Sequence, residues 1–234
     1  TPKTSSAASD VYKRQVKYIS SANIATGFHA GDPNWMQKTI ELSMNNKVSI
    51  GAHPSYPDLS GFGRRDMSLS KNEVENLIKY QVGALTGFVG IDNLSHVKPH
   101  GALYNKAVND EDTALGVIEA IKSISSDLIH VVLAGSKWES IAQDKNVKIA
   151  KETYADRQIM QDGTLCPRSI EGSVIEDSDL IVERTIRMVQ KKEVKTFDGG
   201  VINVDFDSIC LHGGTKGAVE ILSLIHISEP TRLR

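Results

Sequence analysis

The sequence predicts an α/β fold built on parallel strands, and two observations carry that prediction. Short strand-like runs alternate with longer helical patterns through six successive units, which implies parallel strands joined by right-handed crossovers. Helix-capping signals then stand directly after several of the strand ends. Six such units fit either a (β/α) barrel or an open doubly wound sheet.

The units follow in order. VKYISSANIA is strand-like at its start and runs into GFHAGD (27–32). Asp32 suits an N-cap and Pro33 the first helical position. The helix WMQKTIELSM follows, ending near Asn45 and Asn46. KVSIGAH is the second strand. Ser70 and Glu73 form a capping box ahead of the long helical pattern VENLIKYQVGALTGFV. HVKPHG is a third strand end, and DTALGVIEAIKSI is helical. LIHVVLAG is a fourth strand, followed by a second capping box at Ser136 and Glu139. VKIAKE, the helix SDLIVERTIRMVQ, the strand DSICLHGG and the helix start TKGAVEIL complete the pattern.

The two chain ends lack this rhythm. Residues 1–15 are polar and aperiodic, and SLIHISEPTRLR (223–234) breaks the helical pattern before it. Both resemble translated sequencing-adapter read-through, so they are expected to be non-native tails around one domain of residues 16–222; native disordered tails are the plainer alternative.

Composition narrows the function. The chain has 234 residues, 40% hydrophobic and 24% charged, with a formal net charge of −2. That balance suits a soluble globular protein and gives no electrostatic case for nucleic acid or an anionic membrane. No apolar run approaches the ~18 residues of a membrane span. Cys166 and Cys210 stand far apart in no metal-ligand spacing, which fits a reducing cytoplasm. Dinucleotide and P-loop glycine signatures are absent.

The histidines fall in one structural position. His29, His53, His100 and His212 each end a predicted strand beside a glycine or proline turn. One such histidine is usually a turn or packing residue. In a barrel, however, all strand C-termini meet at one mouth, where active sites are built, so four of them are expected to converge. His96, Lys98 and His100 alternate and share one face, which brings an ammonium near the site. His130 starts its strand at the other end and is expected to be structural. Two long connections, 54–70 and 153–178, carry Arg64, Arg65, Arg157 and Arg168; these are either carboxylate or phosphate ligands or ties that hold the loops.

Five blocks, SSANIATGFHAGDP, IGAHPSYPDLSGFGRRDM, HVKPHGALYN, ADRQIMQDGTLCPRS and DSICLHGG, together resemble the LamB/YcsF family from about Tyr18 to Leu222. The resemblance implies a (β/α) barrel akin to polysaccharide deacetylases. It implies ATP-dependent opening of the 5-oxoproline lactam to glutamate, in a cytoplasmic complex with B and C subunits. Carried onto this chain, its motif positions are His29, Asp32, His53, Arg64, Arg65, Lys98, His100, Arg157 and His212. In the implied roles, His29, His53, Lys98 and His100 are catalytic, while Asp32, Arg64, Arg65, Arg157 and His212 bind substrate. A divalent metal held by His29, His53 and an N-terminal aspartate is a variant of the same site. The chain departs from the family pattern at Thr26, where cysteine is usual, and at Gly214, where a carboxylate is usual. It also lacks the family's acidic first strand, so the barrel is expected to be incomplete. The alternatives are metal-dependent deacetylation of an amidated sugar, or a non-catalytic or inactive truncated barrel subunit.

Overall fold

The structure, a computed structural model, describes residues 13–228. It comprises two compact units: one of Ser21–Lys151, the other of the residues up to Ser20 together with those from Glu152 onward. Residues 1–12 and 229–234, parts of the two expected tails, lie outside the described residues.

The Ser21–Lys151 unit holds strands β1 (Ser21–Ala25), β2 (Ser49–His53), β3 (Leu94–Val97) and β4 (Ile129–Leu133), all parallel and in sequence order. The first strand sits at the end of VKYISSANIA rather than its start. Val16–Tyr18 is a 3-10 turn, and the strand begins only at Ser21. Helices α1 (Pro33–Asn45), α2 (Lys71–Val89), α3 (Gly101–Asn109), α4 (Glu111–Ile124) and α5 (Lys137–Asp144) connect the strands. Helix α3 was not visible as a separate element, because GALYNKAVN follows a histidine with no side-chain cap.

The capping chemistry explains where the helices start. Asp32 accepts from the backbone N–H groups of Asn34 and Trp35 and caps α1. At α2 the box is reciprocal: Ser70 accepts from Glu73 N–H, and Glu73 accepts from Ser70 N–H. The expected second box is only half formed. Ser136 accepts from Glu139 N–H, but the Glu139 carboxylate takes the N–H of Gly135, one residue further back. Helix α2 buries Val74, Ile78, Val82 and Leu85 completely. Each contributes about 1.5–3 kcal/mol by leaving water.

Strand β5 (Ile149–Tyr154) carries the chain across the boundary between the units. In the second unit it pairs in parallel with β8 (Ser208–Cys210), and β6 (Glu193–Lys195) with β7 (Val201–Asn203) forms an antiparallel hairpin. Helices α6 (Ser178–Lys191) and α7 (Ala218–Ser228) pack through Ile181, Ile221 and Ile225. The helical pattern therefore does not break at residue 223. Ile225 repeats Ile221 one turn on, and His226 Nε2 lies 2.6 Å from the Tyr18 carbonyl. At the other end, Gln15 is buried and donates to the Gly213 carbonyl at 3.0 Å. Among the described residues, no helix is long and apolar enough to cross a membrane.

Candidate active site

Three of the expected histidines meet. His29 lies in the turn after β1, His53 ends β2, and His100 stands just before α3. The His29 and His100 rings stack with centroids 3.9 Å apart, and His53 meets His100 edge-on at 4.8 Å. One ring nitrogen from each lies within 4.8 Å of the other two. Parallel pairing continues past β3 to place them: Lys98 N–H donates to Ala52 and His100 N–H to Pro54.

Hydrogen bonds fix the tautomers. A carbonyl only accepts, so His53 Nδ1, 2.6 Å from the Lys98 carbonyl, carries a proton. By the same reasoning His100 Nε2 donates to the Phe62 carbonyl at 2.9 Å. The Ser55 hydroxyl gives its one proton to the Tyr56 carbonyl and therefore accepts from His29 Nδ1 at 2.8 Å. Each ring thus has one committed N–H. Burial, and then the positive Arg64, lowers the His29 pKa to about 4. Burial also pushes His53 well below its ordinary value, with His100, Lys98 and His29 adding to the effect. Both rings are neutral near pH 7.

Residues outside the expected set hold this cluster. Gln81 of α2 accepts from Thr26 Oγ1 and Ser55 N–H, and donates to the Ser55 carbonyl, all at 2.9 Å. It thereby joins the turn after β1 to the loop after β2. The sequence carried a signal for it: a glutamine on the α2 face that otherwise presents Val74, Ile78 and Leu85. Gly63, at φ +67°, lies so close that a Cβ there would come within 2.9 Å of both His29 and His100. Only glycine combines that conformation with that approach.

Asp58 shapes the loop that delivers the Phe62 carbonyl. Its carboxylate accepts from Gly61 N–H and from Arg65 N–H and Nε, and it also pairs with Arg65 Nη2. The Arg65 bond, helped by the two backbone bonds, holds its pKa down at about 2 against an opposing effect of burial. A carboxylate depressed in the folded state stabilises above its unfolded pKa, and that stability fades as pH falls toward the folded value. The loop is therefore expected to loosen between about pH 4 and pH 2. Asp58→Asn should remove this acid dependence and make residues 54–70 more protease-sensitive at pH 7. Equal proteolysis rates for the variant and the parent would contradict this.

The other expected residues have varied settings. Lys98 is buried, with Nζ 5.8 Å from the Tyr104 ring centroid. Arg64 is exposed, its guanidinium 5.2 Å from the Phe62 ring centroid. Arg65 is the loop tie described above, and Asp32 is engaged as the α1 cap. In the second unit, buried Arg157 donates to the carbonyls of Ser173 and Cys166, a tie within its loop. His212, also in that unit, places Nδ1 2.9 Å from Asp156, whose other oxygen accepts from Thr215. His96 is buried between Ser95 and Asn23. His130 is buried within β4.

Histidines gathered at the carboxyl ends of parallel strands stand where α/β enzymes build their active sites. The chain belongs to the LamB/YcsF family, whose sequence profile matches residues 9–229. It is 50% identical over 212 residues to the A subunit of 5-oxoprolinase from Pyrococcus furiosus, covering 90% of this chain and 83% of that protein. It is 47% identical, with the same coverage, to the corresponding 5-oxoprolinase protein of Alkaliphilus metalliredigens. The crystal structure of the lactam utilization protein from Thermus thermophilus superposes with a TM-score of 0.84 at 39% identity, covering 92% of this chain and 86% of that one. The expected α/β fold class is shared with that structure.

Proposed function

We propose that this chain is the A component of an ATP-dependent 5-oxoprolinase, opening 5-oxo-L-proline to L-glutamate together with B and C subunits. The observation that carries the reading is the three-histidine cluster, set in a chain half-identical to a named 5-oxoprolinase component.

A lactam carbon is a poor electrophile. Phosphorylation of the amide oxygen by ATP converts that oxygen into a leaving group. Water then adds to the carbon; the ring C–N bond breaks with the nitrogen leaving as the protonated amine, which gives the acyl phosphate of glutamate, and a second water hydrolyses that acyl phosphate to glutamate and phosphate. The water needs a base, and His29 or His53 supplies an unprotonated nitrogen for it. Lys98 provides the cation for the oxyanion or the phosphoryl group. Arg64, exposed at the rim of the cluster, suits the substrate carboxylate better than Arg65, whose guanidinium Asp58 already occupies.

The test is glutamate formation from 5-oxoproline by the full chain mixed with B and C subunits. Product that appears only with ATP, alongside equimolar ADP, is the expected result. Turnover that does not consume ATP, or no turnover with partners that work with another 5-oxoprolinase A component, would overturn the reading.

A further inference from the structure

His53 Nε2 and His100 Nδ1 face each other at 3.0 Å. Their outer nitrogens are both committed as donors to carbonyl oxygens, so the inner nitrogens are the atoms these rings present to a ligand. Two imidazole nitrogens converging at that separation, with a nitrogen of His29 within 4.8 Å, suit a shared cation. The geometry points to a binding site for one divalent transition-metal cation of the zinc class, ligated by His53 Nε2 and His100 Nδ1 with His29 as the third donor.

The surroundings match what such ligands require. A metal-bound histidine commonly donates its other N–H to a backbone carbonyl or another oxygen, which sets the tautomer and the ring orientation. All three rings are held this way, by Lys98, Phe62 and Ser55. Nitrogens about 2.0–2.1 Å from a tetrahedral zinc lie about 3.3 Å from each other. The 3.0 Å pair therefore needs to open only slightly. His29 needs more: its ring lies flat on His100, at an interplanar angle of 5°. Its lone pair turns inward only when the ring tilts out of that stack. Three imidazoles leave a fourth position for an oxygen donor, as in catalytic zinc sites; with the cation bound, it rather than a free ring nitrogen would activate the water for lactam opening.

The donor set also defines the metal class. Imidazole suits zinc, cobalt, nickel, copper and iron, whereas magnesium and calcium require oxygen ligands. The magnesium that accompanies ATP is thus not the expected occupant. The acid in the sequence-based metal variant is replaced here by His100, the third member of the only such group among the described residues.

The site is the one assigned above to lactam opening, but metal binding can be measured without that reaction. The full chain is stripped with chelator, and zinc is titrated calorimetrically with no ATP, lactam or partner present. One equivalent per chain is expected. Cobalt(II) should give the intense visible absorption of a tetrahedral nitrogen site, displaced by zinc. His100→Ala and His53→Ala, each checked for a cooperative melt, should lower zinc affinity by more than about 100-fold; Ser55→Ala, which frees His29, should lower it by about 10–100-fold. No stoichiometric binding, or binding unchanged in both histidine variants, overturns the site. So does a metal-free pair shown by NMR to share one proton after incubation with zinc. Any of these failures leaves the lactam assay unaffected, and failure of that assay leaves the titration standing.

Discussion

Changing His53 to alanine is expected to lower ATP-dependent glutamate formation by about 10²–10⁴-fold, the range for loss of a positioned proton-transfer group. The chain should remain folded. The substitution removes one hydrogen bond, from Nδ1 to the Lys98 carbonyl, a net loss of about 0.5–1.5 kcal/mol. The deciding comparison sets turnover against melting temperature in the same preparation. Activity within a few-fold of the parent would sink the assignment of His53 to the chemistry. A melt collapsed to the unfolded baseline would show instead that this ring is needed for folding. His53→Asn then separates the two roles, because its amide can donate to the Lys98 carbonyl but cannot act as a base near pH 7.

Much of this site was legible in the sequence, for a physical reason. Strand C-termini are marked by glycine and proline turns, so a histidine beside such a turn can be placed without coordinates. His29, His53 and His100 were found that way. The same logic put His212 in an equivalent position, and the chain does pair it at a strand end, with Asp156. Asp156 sits in ADRQ, a stretch without periodicity, and nothing there linked it to a histidine 56 residues on.

The arginines were harder to read. A guanidinium within a long loop is the same letter whether it waits for a ligand or ties the loop together. Only its partner shows that Arg65, held by Asp58, is such a tie. Ser55 stayed hidden because it acts through His29, whereas Gln81 was marked only by its place on an apolar helix face. The apolar period of 223–228 was obscured by its neighbours, since Ile225 continues the face of Ile221 while SEPTR beyond it does not look helical.

Gly51 tests how the layer beneath the site is built. It lies inside β2, as the strand-like run KVSIGAH predicts, paired with Asn23 on β1 and His96 on β3. The His96 ring crosses over it, and His96 Nε2 reaches Asn23 Oδ1 at 3.0 Å. A Cβ at position 51 would occupy the space of that ring. Gly51→Ala should therefore expel His96, combining overpacking of about 1–3 kcal/mol with loss of the hydrogen bond to Asn23, about 0.5–1.5 kcal/mol more. Since His53 follows two residues later on the same strand face, turnover should fall with stability. His96→Ala alone leaves a cavity and removes the same hydrogen bond. In the double variant the new methyl enters the space the ring has left. Its destabilisation should then be smaller than the sum of the two single changes, by about 0.5–3 kcal/mol in a denaturant cycle. Strict additivity would mean that the two positions do not share that space, and that the glycine serves the strand in some other way.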